Sequence, residues 1–164
     1  MTVLEFCHRL QDSAFGVALL ESQYVWLVIE SVHVLSLSLS VGLLFITDLR
    51  LIGRFRRHEP VSEVLDQLRP WMLGGFAVMF LSGGLLFWSE AATVYASAWF
   101  RLKLLFLVLA AGNALFFEAR LGRKLASWNT LEHTPIGARV AGWASILCWT
   151  AVIVFGRWVA YAHT

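Results

Sequence analysis

Four long apolar runs, separated by short polar links, dominate this chain. A bilayer core about 30 Å thick is crossed by a helix of roughly 20 apolar residues. The runs therefore predict four membrane-spanning helices, over residues 24–46, 71–88, 99–117 and 140–161. Aromatic residues lie near at least one end of each run, which is typical of rings at the level of the lipid headgroups.

Two shorter segments predict helices at the membrane surface. In the first twenty residues, apolar side chains recur every three or four positions, which predicts a short interfacial helix over residues 1–20 or, alternatively, a partner-binding segment. Ionisable residues interrupt this segment and no basic start precedes an apolar core, so it does not resemble a signal peptide. Pro60 and the capping residue Ser62 predict a second surface helix, over residues 61–68.

Composition places the chain among integral membrane proteins. Of its 164 residues, 59% are hydrophobic and 15% are charged, and the mean hydropathy is +0.69. Soluble domains are about 45–50% apolar and about 25% charged. A net charge of +2 lacks the concentrated basic surface that nucleic acid requires, so no nucleic-acid partner is expected. The sequence therefore predicts an all-α fold, with residues 1–164 forming a single membrane domain, a four-helix bundle in contact with the lipid bilayer.

Basic residues predict the orientation of the helices. Nine of the thirteen lysines and arginines lie in the links that follow the first and third runs. They are Arg50, Arg54, Arg56, Arg57, Arg69, Arg120, Arg123, Lys124 and Arg139. The link after the second run, residues 89–98, has none, and basic links tend to stay in the cytoplasm. Both termini are therefore expected on the outer side of the membrane.

Polar residues on the first run follow the period of a helix. Four of them recur at steps of three or four and so share one face: Glu30, His33, Ser36 and Ser40. Ionisable groups inside a membrane span are costly and usually face the interior of the bundle. This face is therefore expected to contact protein or trapped water. Asn113, at mid-depth in the third run, is expected to hydrogen-bond across helices, for example to Ser40.

Charged residues of three runs share one half of the bilayer. With a rise of about 1.5 Å per residue, Glu30 lies roughly 9 Å below the start of its run, and Lys103 and Arg157 lie about 6 Å below the outer ends of theirs. An unpaired carboxylate at this depth takes up a proton, so Glu30 is expected to pair with Arg157. The alternative role of this pair is structural, in fixing the helix register. At the opposite end, Asp48 with Arg50, and Glu118 with Arg120, are interpreted as charges at the cytoplasmic boundary that anchor register and topology.

His33 is the residue of this pattern that could perform the most kinds of chemistry. It lies roughly 14 Å below the start of its run. An imidazole at this depth can be an axial ligand of haem iron, a proton relay, or a structural residue whose ring hydrogen-bonds to a neighbouring helix. The propionates of a haem bound to His33 would emerge toward the outer surface. Three basic residues lie on that side: Arg101, Lys103 and Arg157.

The second axial ligand of such a haem b is left open by the sequence. Met79 on the second run matches the depth of His33 and is a potential ligand, although a methionine on an apolar face usually fills the core. Five-coordinate iron is one alternative. His8 or His163, folding inward from the outer surface, is another.

Short motifs in three of the runs carry a family resemblance. They are Ser31-x-His33-Val-Leu, Gly42, Asp48-Leu-Arg50-Leu-x-Gly53, Phe100-Arg-x-Lys103, Asn113-Ala-Leu and Gly156-Arg157-Trp158-x-x-Tyr161. The chain resembles small four-helix proteins of the bacterial inner membrane, similar in layout to the copper-resistance D membrane domain and to four-helix b-type cytochromes. The resemblance implies that His33 is the functional intramembrane histidine and Arg157 the outer-leaflet arginine. Glu118 stands where some relatives are expected to have a histidine, so that position is not expected to be a second haem ligand.

Three functions are compatible with these observations. The first is a membrane redox subunit that holds haem through His33 and passes electrons between quinone and an outer-face partner. The second is a non-enzymatic accessory or assembly subunit whose polar residues form only a structural network. The third is a transport component for copper or a small solute, although soft copper prefers more sulfur than Met72 and Met79 supply. No nucleophile–base constellation is recognisable in the sequence, so a stand-alone enzyme is not expected. The chain is expected to be a homo-oligomer or a subunit of a larger membrane complex.

Overall fold

Helices form every regular element of the computed structural model, which describes residues 2–56, 58–121 and 134–161. They are α1 (Val3–Gln11), α2 (Ala14–Glu21), α3 (Gln23–Ile52), α4 (Val61–Ser89), α5 (Ala91–Ala96), α6 (Ala98–Phe116), a π-helical turn (Phe117–Leu121) and α7 (Ile136–Tyr161). Four of them, α3, α4, α6 with the following turn, and α7, are long and apolar enough to cross a membrane. The all-α class and the four spanning helices predicted from sequence are confirmed. Arg123, Lys124 and His163 lie outside the described residues.

The second spanning helix begins ten residues before its predicted start. α4 is continuous from Val61, so the prediction of a separate surface helix over residues 61–68 is wrong. Val61 is buried against Leu51 near the end of α3 and Ala138 of α7, and this contact extends the helix beyond the apolar run. Pro70 lies inside α4 and is exposed, at the transition from polar to apolar sequence. A proline has no backbone N–H, so the carbonyl one turn earlier lacks its helical donor. At this position that carbonyl can still be solvated.

The N-terminal segment forms two helices, although one was predicted. The break falls at Asp12–Ser13, because Ser13 caps α2 by accepting a hydrogen bond from the backbone N–H of Gly16 at 3.1 Å. Trp88 at the end of α4 donates to the same hydroxyl at 3.1 Å. Together with α5, which the sequence did not predict, α1 and α2 form a cap over the C-terminal end of α4. We call this end of the bundle the cap end.

A small apolar core joins the four spanning helices. Each of them contributes to a buried cluster formed by Val41, Met79, Ala110, Trp149 and Val152. Most other large apolar side chains face outward: Leu35 is 70% exposed, Leu81 73%, Val108 68% and Leu147 65%. Such an apolar exterior suits contact with lipid and not with water. The structure therefore agrees with a multi-pass membrane protein.

The connection between α3 and α4 defines the opposite end of the bundle, which we call the linker end. α3 ends at Gly53, whose positive φ of 83° permits the left-handed turn. Arg50 is buried and donates through Nε and Nη2 to the carbonyl oxygen of Glu59, at 2.9 and 2.6 Å. The Glu59 carboxylate pairs with Arg56, and this hydrogen bond holds its pKa below the ordinary value. Arg50 therefore anchors the connection and does not pair with Asp48.

Candidate functional site

The imidazole of His33 is anchored across the interface between α3 and α4. Its Nδ1 lies 2.9 Å from the carbonyl oxygen of Met79 and 3.1 Å from the hydroxyl of Ser82. The Ser82 hydroxyl donates its own hydrogen to the carbonyl of Val78, at 2.7 Å. Because a carbonyl oxygen can only accept, Nδ1 carries the proton of the neutral ring and Nε2 keeps its lone pair. Nε2, which forms no hydrogen bond among the described residues, is therefore the nitrogen that could bind a metal.

Gly83 provides the space that the ring occupies. A Cβ at this position would lie 2.8 Å from Cε1 and 3.3 Å from Nδ1 of His33, closer than side chains pack. A Cβ at the neighbouring Gly84 would meet nothing within 4 Å. Glycine at position 83 thus permits the close approach of the imidazole to the α4 backbone.

Two charged groups, one of them from a further helix, complete this region. Lys103 of α6 and Glu30, one turn before His33 on α3, both act electrostatically on the imidazole. The side chain of Lys103 crosses Gly156 of α7, where a Cβ would lie 3.5 Å from Nζ. All four spanning helices therefore meet here. We call this group the histidine cluster, and it consists of Glu30, His33, Ser82 and Lys103.

Lys103 of the histidine cluster and the neighbouring Trp26 have no polar partner among the described residues. Lys103 is half-buried and belongs to neither of the ion pairs that the described part of the chain forms. The indole Nε1 of Trp26, on the same face of α3 as Glu30 and His33, is buried and has no hydrogen-bond acceptor among those residues. An ammonium and an indole N–H in the apolar layer of a membrane both require an acceptor. The negatively charged groups of a ligand would supply such acceptors, and Glu30 is the one acidic side chain that the cluster itself contains.

Arg157 does not pair with Glu30, so that prediction is wrong. Its guanidinium is exposed, donates to the hydroxyl of Tyr161 at 3.3 Å and lies 5.0 Å from the centre of that ring. The side chain extends along α7 to its own next turn, because Tyr161 offers both a π face and an acceptor there. Arg101 is exposed in the first turn of α6, also toward the cap end.

Met79 contacts His33 through its backbone and not through its sulfur. Its side chain is 4% exposed and packs in the central core beside Val41 and Trp149, which does not favour a role as second ligand. His8 is exposed on α1. Among the described residues, no group of three or more His, Cys, Asp or Glu side chains could hold a metal ion.

The serines below His33 satisfy their hydroxyls within α3. Ser36 donates to the carbonyls of Val32 and His33, and Ser40 donates to the carbonyl of Ser36 at 2.6 Å. Ser40 is fully buried against Gly75. The predicted bond between Asn113 and Ser40 is wrong, because α6 packs on α7 while α3 packs on α4. Asn113 donates instead to the carbonyl of Ala141, at 3.0 Å.

Sequence reasoning missed two participants of this region, Ser82 as a partner of the ring and Trp26. Ser82 and Gly83 belong to a face of small residues on α4, and such a face predicts helix packing without showing which side chain it receives. Trp26 could have been found, since it continues the stripe of Glu30 and His33 by one more helical turn.

Comparison with known proteins identifies a family whose function is unknown. No curated protein and no solved structure matches the chain significantly. A family of unknown function, DUF6644, matches over residues 22–162, a range that runs from the start of α3 to the end of α7. The resemblance to the copper-resistance D domain and to b-type cytochromes stays a prediction. The chain belongs to the DUF6644 family.

Proposed function

We propose that this protein is a membrane redox subunit that binds haem b through Nε2 of His33 and relays electrons. The observation that carries the proposal is the hydrogen bond from Nδ1 to the carbonyl of Met79. Histidines that bind metals almost always donate their other ring N–H to a carbonyl or carboxylate, which fixes the tautomer and the ring plane. Haem iron takes such an imidazole as its axial ligand.

Lys103 and the neighbouring Trp26 support the same ligand. Haem carries two propionates, and these need donors at the edge of the bundle. Within the described ranges the indole N–H of Trp26 has no acceptor and the Lys103 ammonium forms no ion pair, and Arg101 lies nearer the cap end. The residues present therefore fit one axial bond and the propionates. When bound, the haem supplies one-electron chemistry, and the bundle supplies the ligand, the orientation and the exclusion of water.

The surroundings of this redox subunit are part of the same proposal. The linker end faces the cytoplasm of a bacterial inner membrane and both termini lie on the outer side, which the arginines of the α3–α4 connection support. An open apolar groove of about 730 Å³ between α3 and α4 begins at Val32, beside His33, and extends past Ser36 toward the linker end. This groove supports quinone as the electron partner within the bilayer, with an outer-face partner in a larger complex.

A structural role is the second candidate function. The packing of the Met79 thioether into the core favours it, because the described residues then bring no second haem ligand to His33. In this case the contact of His33 with Ser82 and Gly83 only locks α3 against α4, in an accessory or assembly subunit.

A visible absorption spectrum of the detergent-purified protein separates these functions. We expect a Soret band that shifts on reduction with dithionite and, by pyridine haemochrome assay, about one haem per chain. A colourless, folded protein that does not take up added haem would contradict the proposal and favour the accessory subunit. Bound copper in elemental analysis, without haem, would favour the transport component.

Gly83 and Gly84 offer a matched pair of substitutions that tests whether the position of the ring matters. We expect Gly83→Ala to push the imidazole away from Met79 and to weaken haem binding by about 10-fold or more, since partners that orient a ligand contribute 10–100-fold. Gly84→Ala, which meets no atom, should bind haem as the parent protein does. Titration of both variants with haem measures this, and equal affinities would show that ring placement is not the determinant.

A further inference from the structure

A second polar region lies at the linker end, apart from the histidine cluster. The side chain of Asp48 is 3% exposed, and its Oδ2 is buried with no hydrogen-bond partner among the described residues. Asp48 lies fifteen residues beyond His33, which is about 22 Å along α3. The apolar core around Val41 and Trp149 lies between them. This carboxyl therefore forms a site of its own.

α7 closes this site by packing directly on α3. A Cβ at Gly142 would lie 3.0 Å from the carbonyl oxygen of Asp48 and 3.2 Å from Cγ1 of Ile52, so the two backbones approach as closely as glycine allows. One turn further along α7, the buried hydroxyl of Ser145 faces the Asp48 carboxyl. The polar neighbour of Asp48 on α7 is thus uncharged.

No cation in the described part of the chain neutralises Asp48. Arg50, two residues away, is committed to the carbonyl of Glu59. The charged residues nearby on the helices packed against α3 are exposed to the surroundings: Glu63 and Asp66 on α4 and Arg139 on α7. Neither ion pair among the described residues includes Asp48.

A buried carboxylate without a counter-ion is unstable relative to the neutral acid. A bound metal ion would need several oxygen ligands, and this site offers one carboxyl and one hydroxyl. We infer that Asp48 is a proton-binding site, which holds a proton as a carboxylic acid in the folded chain and exchanges it with the linker-end face of the membrane. The direction of exchange follows from position: Asp48 is four residues, about 6 Å, from the end of α3, whereas the apolar core separates it from the cap end.

Infrared spectroscopy of the protein in lipid nanodiscs tests this site, whether or not haem is bound. At neutral pH we expect a carbonyl stretching band of a protonated carboxylic acid that Asp48→Asn removes. Asp66→Asn, at an exposed position on α4, should leave the band unchanged. Ser145→Ala should move the band to higher frequency, because the acid loses its hydroxyl neighbour.

Three results would overturn the inference. The first is the absence at neutral pH of any protonated-acid band that depends on Asp48. The second is a band or a thermal stability that responds to sodium or potassium ions at constant pH, which would indicate a cation site. If Asp48→Asn does not fold, an unchanged band in Ser145→Ala is the third. These outcomes are independent of haem binding, so the failure of the redox proposal would remain distinguishable.

Discussion

Replacement of His33 by alanine is expected to remove the haem from this protein while leaving the four-helix fold in place. The proposed axial bond to iron comes from the imidazole of His33. Its hydrogen bond to the carbonyl of Met79 holds the ring in one tautomer. Loss of the axial bond should reduce haem affinity by at least about 100-fold, the upper end of the effect of removing a group that only orients a ligand. The measurement is the haem content per chain after purification and after reconstitution.

Two controls separate ligand loss from general damage in this experiment. Ser31→Ala removes an exposed hydroxyl of α3 that donates to the carbonyl of Leu27 in its own helix, and should retain haem. Free imidazole added to the His33→Ala protein should restore part of the binding, because it can occupy the vacated space beside Gly83. Full haem content in His33→Ala, with an unaltered spectrum, would exclude His33 as the ligand.

The second large effect is expected from Gly75→Ala, which should lower the free energy of unfolding by about 1–3 kcal/mol. A Cβ at this position would overlap the hydroxyl of Ser40, which is fully buried and already bonded to the carbonyl of Ser36. Relief requires α3 and α4 to separate or the Ser40 hydroxyl to break its bond. Either change weakens the interface that holds His33. Thermal or denaturant unfolding in detergent measures the loss.

Gly74→Ala is the matched control, since a Cβ there meets no atom within 4 Å and alanine favours helix. It should be neutral or slightly stabilising. The double variant Gly75→Ala with Ser40→Gly should regain much of the lost stability, because the overlapping hydroxyl is gone. Equal stabilities of the two alanine variants would show that α3 and α4 are not packed as described.

The spanning helices could be predicted from the sequence because lipid imposes one rule on all of them. Every backbone polar group must be bonded within the segment and every outward side chain must be apolar, so length and hydropathy suffice. The polar face of α3 followed from the same rule, and His33, Ser36 and Ser40 do lie toward α4. Helix ends were less predictable. Val61 extends α4 into polar sequence because it packs on Leu51 of α3 and Ala138 of α7, contacts that local sequence does not reveal.

Partner choice could not be predicted, because it depends on which helices are neighbours and how they rotate. Arg157 was expected to pair with Glu30 because the two lie at similar depth, yet it donates to Tyr161 on its own helix. Asp48 was interpreted as a boundary charge because it lies just beyond the apolar run. In the structure α7 covers it through Gly142, and a glycine in a helix does not indicate which neighbour it admits.

The protonation pattern of the His33 ring decides whether it can bind haem iron, because an axial ligand needs the lone pair of Nε2. Nitrogen NMR of histidine-labelled, haem-free protein in nanodiscs reports this pattern, with His33→Gln used to assign the signal. We expect a neutral ring at neutral pH, with the proton on Nδ1 and none on Nε2. A ring protonated on Nε2, or on both nitrogens, would contradict this expectation.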